Sequence, residues 1–474
     1  MLVDLAMRFI LVSGWVVLGY YLLVNGLYLL VQIAGLFHLR DDLRDQSWGP
    51  MFQPFDSPFV PGISILVPAH NEAPIIVDTV RSLLQLNYPS TEVIVINDGS
   101  TDETLERLVE AFDLEPIEAP VPYDVPSEPI SRVFRSSTHE NLLVVDKANG
   151  GKSDALNAGL WLTEEPLTCS IDADSIIDSD GLLKVVEPFL RDPHETVATG
   201  GTVRVANGCS IDGGVVKSVN LPQNNLAEIQ VIEYLRAFYS GRLGLDQLDS
   251  LILISGAFGL FRTDVLREIG GYDTGSITED FDLVVRLHRH LSDVNRPYRV
   301  RFVPEPVVWT EVPETLGELG PQRRRWYRGL IDTIVTHRGM IGRRRYGGSG
   351  MFGLPALFFA EVLGPLVEGL GYVIVPVAFL IGAADINFVI FYFALTIGFG
   401  IFLSWFGVFS EVWSFRRYNK PTQIARLLGD GVIENFGYRQ WKTLVAWRAL
   451  YEYVRGDTSW GQMERIGFED RAQE

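Results

Sequence analysis

From Phe9 to Phe37 the chain carries no charged side chain. A helix needs roughly 20 apolar residues to cross the hydrocarbon core of a bilayer, so this stretch is long enough to span one. A second apolar region covers 351–413 and breaks at Gly382-Ala383-Ala384-Asp385-Ile386-Asn387, a polar turn. The break leaves one span near 354–381 and another near 388–412. A cleaved signal peptide would have a basic start, a shorter core and a small-residue cleavage site. This chain starts Met1-Leu2-Val3-Asp4, and His38-Leu39-Arg40-Asp41-Asp42 follows the run. A retained helix is expected.

Basic flanks mark the cytoplasmic ends of spans. Arg343, Arg344 and Arg345 precede the second span, and Arg416, Arg417 and Lys420 follow the third. The expectation is a multi-pass protein of the cell membrane, with its N-terminus outside and its middle region and C-terminal tail in the cytoplasm. The expected division is 1–50 for the first helix and a linker, 51–345 for a cytoplasmic domain, 346–415 for two membrane helices, and 416–474 for a cytoplasmic or interfacial helical segment. Within that segment, 424–455 mixes Trp and Tyr with Asp430, Glu434, Arg439 and Lys442, too polar for a simple lipid-facing helix. Glu361 and Glu368 stand seven residues apart in the second span, on nearly the same helix face. Ionised groups are costly in lipid, so both should face the bundle. There they would pair with a cation such as Arg439 or Lys442, or line a path for a hydrophilic chain.

The middle region alternates short β-branched runs with helical patterns. Ile63–Pro68, Glu92–Asn97, Leu142–Val145 and Leu167–Ile171 read as strands, and 74–86, 101–112 and 153–162 as helices. That alternation predicts an open α/β sheet, whose ligand crevice lies beyond the carboxyl ends of its strands. Polar residues gather at those ends: Pro68-Ala69-His70-Asn71-Glu72, Asn97-Asp98-Gly99-Ser100 and Asp172-Ala173-Asp174. Asn, Asp and Gly end strands in any case, but three such ends in succession favour a shared site. The proline-rich stretch 113–140 has no clear period and reads as a surface insertion.

Several of these residues carry recognisable chemistry. Asp172 and Asp174, just after an apolar strand, offer the hard oxygen ligands that suit Mg²⁺ or Mn²⁺, with water and phosphate completing the shell. Asp178 and Asp180 add further acid nearby and dilute the signal of the pair. The loop 147–154, Lys-Ala-Asn-Gly-Gly-Lys-Ser-Asp, opens a helix and presents backbone N–H groups and Lys152 to an anion. It lacks P-loop spacing. Thr278-Glu279-Asp280 precedes the amphipathic helix pattern 281–290, where a carboxylate is either a cap or a general base. Gln322-Arg323-Arg324-Arg325-Trp326 joins guanidinium groups that can neutralise a diphosphate to an indole that can stack on a sugar. The same cluster also suits a membrane-proximal position. A formal net charge of −19 excludes a general nucleic-acid binder. Two cysteines, Cys169 and Cys209, make no disulfide framework, and Cys169 reads as a buried thiol.

Taken in order, VPAHNE at 67–72, NDGSTD at 97–102, NGGKSDALN at 149–157, DAD at 172–174, TED at 278–280 and QRRRW at 322–326 resemble the processive family-2 inverting glycosyltransferases. That group includes the synthases of cellulose, hyaluronan, chitin and poly-N-acetylglucosamine. The resemblance spans about 60–330, and the chain length suits the smaller, poly-N-acetylglucosamine-like or hyaluronan-like type. It implies an α/β fold of the GT-A type that binds a nucleotide-sugar, flanked by transmembrane helices. It also implies a UDP-sugar donor, a growing polysaccharide as acceptor, Mg²⁺ or Mn²⁺ as cofactor, lipid around the spans and no nucleic acid. The alternative is a non-processive enzyme adding one sugar to a lipid carrier; QRRRW favours the polymerase. By the same resemblance, Pro68, Ala69, Asn71, Glu72, Asp98, Lys152 and Asp172 face the nucleotide-sugar, with Asp98 at the uracil. Asp172 and Asp174 hold the metal. Asp280, beside Glu279, matches the catalytic base, and Gln322, Arg325 and Trp326 hold the diphosphate and acceptor.

Overall fold

The computed structural model describes residues 2–46, 60–118, 125–212 and 214–456. Its strands are β1 (Ile63–Ala69), β2 (Thr91–Asp98), β3 (Leu114–Ile117), β4 (Ile130–Ser136), β5 (Leu142–Lys147), β6 (Leu167–Ile171), β7 (Ser175–Ile177), β8 (Thr196–Val205), β9 (Ser210–Asp212), β10 (Val215–Ser218), β11 (Phe258–Arg262) and β12 (Arg299–Thr310). Ten of them form one mixed sheet in the order β3-β4-β5-β2-β1-β6-β11-β8-β12-β7, and β9 and β10 make a separate hairpin.

The centre of the sheet, β5-β2-β1-β6, is parallel. Its strands are near-continuous apolar runs, as expected where helices cover both faces. Ile63, Ile65, Val93, Val95, Val144 and Ile171 are all fully buried. The helix Ile76–Leu84 turns Ile76, Val80 and Leu83 inward on one stripe. Parallel pairing carries a functional consequence: the strands stop level. Ala69 lies beside Asn97, and Asp98 beside Lys147, so the polar ends expected from the sequence share one edge.

The proline-rich stretch is more than a surface insertion. Its two ends form β3 and β4, which extend the sheet antiparallel from β5. Pro116 is tolerated because β3 is the outermost strand, where a missing N–H breaks no inner ladder. Val133 and Phe134 are buried and hold β4 in place. Residues 119–124 of the same stretch lie outside the described residues.

Three helical segments, Ile10–Arg40, Ser349–Leu380 and Ile386–Ser414, are long and apolar enough to cross a membrane. The first belongs to a helix running Leu2–Gln46. Much of their apolar surface is outward, including Val12, Trp15, Val16, Leu23, Val373 and Leu380. Patches of that extent are not left exposed to water. Against the sheet domain the first helix packs tightly, with Gly35 resting on Gly244 and Leu243. The third span is fastened by Glu411, which pairs with Arg204 of β8; both are fully buried, and Arg204 also donates to the Tyr239 hydroxyl at 2.7 Å. The segment whose placement the sequence leaves open forms two helices, Pro421–Ile433 and Tyr438–Val454. The second is seated on the bundle, its Trp447 indole donating to the Pro365 carbonyl at 3.0 Å. Leu444, Trp447, Tyr451 and Val454 remain exposed along one side of it.

Candidate active site

A cavity of about 1810 Å³ begins at the polar strand edge and continues between the membrane helices, where Tyr28, Glu361 and Glu368 line it. The mouth is built by tying three loops together. Asn71 adopts a left-handed conformation (φ 57°), which Asn tolerates better than most residues. Its amide oxygen accepts from the Thr101 N–H at 2.8 Å, and its own N–H donates to Ser100 Oγ at 3.0 Å. The Asn149 amide donates to the Asp98 carbonyl at 2.9 Å. Gly99 sits at φ 62°, and a Cβ there would lie 2.7 Å from the Asn149 backbone nitrogen, so only glycine allows the approach. Pro68, Ala69 and Glu72 also line this end, with Glu72 buried and its N–H donating to Thr104 Oγ1 at 2.9 Å.

Asp98 lies at the mouth, but its carboxylate is already engaged. It accepts from Lys147 Nζ at 2.7 Å, from the Gly150 N–H at 3.0 Å and from the Gly151 N–H at 2.8 Å. Lys147 is itself buried and also meets Asp154 at 2.6 Å. The residue expected at the base therefore shapes the glycine loop first and retains little free acceptor capacity.

Lys152 reaches the centre of the site. Its Nζ lies 2.6 Å from Asp172 and 2.8 Å from Glu279, and donates to the Gly256 carbonyl at 3.1 Å. Burial alone would lower its pKa, but Asp172 and Glu279 outweigh burial and raise it, so the lysine is firmly protonated. Asp174 lines the same cavity two residues on. The DAD carboxylate thus already carries a stand-in cation, and its donor set of carboxylate oxygens fits a hard divalent ion.

Asp280 is the second residue of the helix Glu279–Asp293. Its Oδ2 accepts from the Gly256 N–H at 2.8 Å and its Oδ1 from the Phe281 N–H at 2.9 Å. Burial first, and the neighbouring Glu279 charge second, push its pKa up to about 6. That places it near the range where a carboxylate exchanges protons effectively at neutral pH. Glu279 differs: its carboxylate is taken up by Lys152.

Gln322, Arg325 and Trp326 lie on the helix Leu316–Thr336, at the i, i+3 and i+4 spacing that shares one face, and all three line the cavity. Arg323 also lines the cavity, where it pairs with Glu233 (2.7 Å), whereas Arg324 turns aside to Glu452 (3.3 Å). Gly329 presses this helix onto Thr278; a Cβ there would lie 2.8 Å from Thr278 Cβ and closer still to its branches. The two motifs are thereby held in contact.

Two lining residues escape a motif reading. Arg242 ends a π-helical turn, Arg236–Arg242, stacked on Phe238 at 4.0 Å. Its Nη1 is buried without a hydrogen-bond partner. Burial lowers its pKa to about 10, while Asp280 acts in the opposite sense. Glu233 gathers Arg323, Lys442 and the Tyr438 hydroxyl. Although burial works against it, those two cations hold its carboxyl at about 2. Arg242 reaches the cavity at the end of that π-helical turn, and single-sequence periodicity carries no sign of the turn. Deeper in, Glu368 meets Arg439 at 2.6 Å, and Glu361 accepts from the Tyr28 hydroxyl at 2.8 Å.

The strand-edge crevice shares one cavity with Asp280, whose pKa is raised, and with the Arg325–Trp326 face of a helix. The chain belongs to glycosyltransferase like family 2, whose model matches residues 61–329. It is similar to the poly-beta-1,6-N-acetyl-D-glucosamine synthase of Staphylococcus epidermidis, 33% identical over 276 residues, which is 58% of this chain and 56% of that protein. The enzyme of the same description from Staphylococcus aureus (strain COL) is 30% identical over 275 residues, with the same shares. The match thus spans little more than half the length of these relatives. Among solved structures, the mannosyltransferase PcManGT of Pyrobaculum calidifontis, in complex with GDP-Man and Mn²⁺, aligns with 87% of this chain and 99% of its own, at a TM-score of 0.49 and 17% identity.

Proposed function

We propose that this protein is a membrane-embedded inverting glycosyltransferase that moves a sugar from a UDP-sugar to a growing polysaccharide and passes the product between its membrane helices. The observation that carries the reading is one cavity holding Asp172, Asp280, Arg325 and Trp326 and continuing past Glu361 and Glu368. The deep end mixes apolar residues such as Val24, Leu357, Phe399 and Leu403 with Asn25, Glu361 and Glu368, and it is these polar groups that favour a hydrophilic chain over a lipid carrier.

In this reading Asp280 takes the proton from the acceptor hydroxyl as that oxygen attacks the anomeric carbon. The bond to the diphosphate breaks on the opposite face, so the product is inverted and no glycosyl-enzyme bond forms. Two backbone N–H groups hold the Asp280 carboxylate in position, and burial raises its basicity. Arg325 and Lys152 meet the departing diphosphate, and Trp326 supports the acceptor sugar. Asp172 and Asp174 would hold Mg²⁺ or Mn²⁺, which when bound supplies positive charge against the leaving diphosphate. Pro68, Ala69, Asn71 and Glu72 border the nucleotide, and Glu279 keeps Lys152 in place. In this reading the domain at 51–345 lies on the cytoplasmic face, as the basic flanks Arg343–Arg345 and Arg416–Lys420 suggest, with 416–474 on the same side.

The test is to incubate purified protein with radiolabelled UDP-sugars and size the product, with and without EDTA. Long polymer that EDTA abolishes and Mn²⁺ or Mg²⁺ restores is the expected result. A single transferred sugar on lipid refutes the polymer assignment, and full activity in excess EDTA refutes the metal.

A further inference from the structure

Lys152 has three N–H donors, and all three have acceptors in the protein: Asp172 at 2.6 Å, Glu279 at 2.8 Å and the Gly256 carbonyl at 3.1 Å. None is left for a phosphate oxygen. A divalent ion approaching Asp172 meets this ammonium on the same carboxylate, and two cations there repel. A diphosphate changes the balance, because it offers the ammonium new acceptors and brings negative charge to the ion. Lys152 opens the helix Lys152–Leu162, so its side chain moves on a backbone fixed by the sheet.

We propose that Lys152 is an internal competitor for the DAD cation position, which makes metal and nucleotide bind together and each poorly alone. This rests on the donor and metal reading above and adds the residue that couples them. The coupling has a structural relay. Gly256 joins two successive peptide groups: its carbonyl accepts from Lys152, and its N–H donates to the base Asp280 at 2.8 Å. When the ammonium turns to the diphosphate, it leaves both Glu279 and the Gly256 carbonyl. The base is then released from a neighbouring cation only when a donor is present.

The experiment measures Mn²⁺ binding to the detergent-purified full chain by electron paramagnetic resonance, with and without UDP. Site-to-site coupling of this kind is typically about 5–150-fold and reciprocal. The wild type is expected to bind Mn²⁺ at least about tenfold more tightly with UDP than without. Lys152→Gln removes the competitor, so Mn²⁺ alone should bind more tightly and the UDP effect should fall towards unity. Lys152→Arg keeps a cation on Asp172 and should keep most of the coupling. Equal Mn²⁺ affinity with and without UDP in the wild type overturns the proposal, whatever the variants do. So does a folded Lys152→Gln chain whose coupling matches wild type, and that result leaves the donor and metal assignments intact. A wild type that binds neither Mn²⁺ nor UDP overturns this proposal and the functional reading together.

Discussion

Gly329 offers a perturbation with an unusual sign. In an exposed helix interior, Gly→Ala favours the helix by about 1 kcal/mol. At Gly329 the new methyl would stand 2.8 Å from Thr278 Cβ, which rotation of the threonine cannot relieve because that atom is fixed by the backbone. Ordinary carbon–carbon contact is about 3.5 Å. The helix carrying Gln322, Arg325 and Trp326 must therefore recede by about 0.7 Å from the segment carrying Asp280, and further to clear the threonine branches. Overpacking of this kind costs about 1–3 kcal/mol, which exceeds the propensity gain. A displacement near 1 Å between catalytic groups reduces turnover by about 10²-fold. Gly329→Ala should thus lower kcat by roughly tenfold to a hundredfold, with a modest change in the KM for donor. Thr278→Ala removes the branches and should restore part of the loss in the double variant. Initial rates of radiolabel transfer and thermal unfolding in detergent measure both effects. A Gly329→Ala protein as active as wild type and more stable would show that the close contact sets no catalytic distance.

Three further outcomes follow from the site. Asp280→Asn should cut transfer by about 10²–10⁴ while UDP binding, read by calorimetry, persists; near-normal transfer rejects Asp280 as the base. Asp280 must be ionised to accept a proton and its pKa is raised to about 6, so the rate should be full above that pH and fall about tenfold per unit below it. A pH–rate profile flat down to 4.5 contradicts this. Glu368→Gln removes the partner of Arg439 and should lower thermal stability, whereas Glu361→Gln loses only charge beside Tyr28 and should shorten or stall the polymer with stability kept; equal effects at both positions refute the distinction. Arg345→Cys should resist an impermeant thiol reagent in intact cells and Asp385→Cys should react, and labelling at 345 overturns the proposed orientation.

The parts of the fold that are local in the chain are visible in the sequence. The four central strands are apolar runs because both faces of the sheet are covered, and their polar ends announce the crevice. The spans stand out by length alone. What depends on distant pairing does not show. Nothing in 113–140 announces that β4 pairs with β5 and β3 with β4, since a proline at an edge strand and one in a loop look alike. Asp98 is readable as a site residue, but the buried Lys147 that occupies its carboxylate is indistinguishable from a surface lysine until the strands are aligned. Arg242 and Glu233 stand outside every motif and reach the cavity through the course of their helix.

The buried pair of Arg204 and Glu411 bears on how the molecule is made. The two residues are 207 positions apart, and the last two spans carry Glu411 into place. During synthesis β8 is complete long before its counter-charge emerges, and a buried guanidinium without a partner costs about 3–5 kcal/mol. The sheet itself does not wait for it, because β8 pairs with β11 and β12, which both precede Glu411. What waits is the charge on Arg204, so docking of the third helical segment against β8 is a late step that stabilises an already paired sheet.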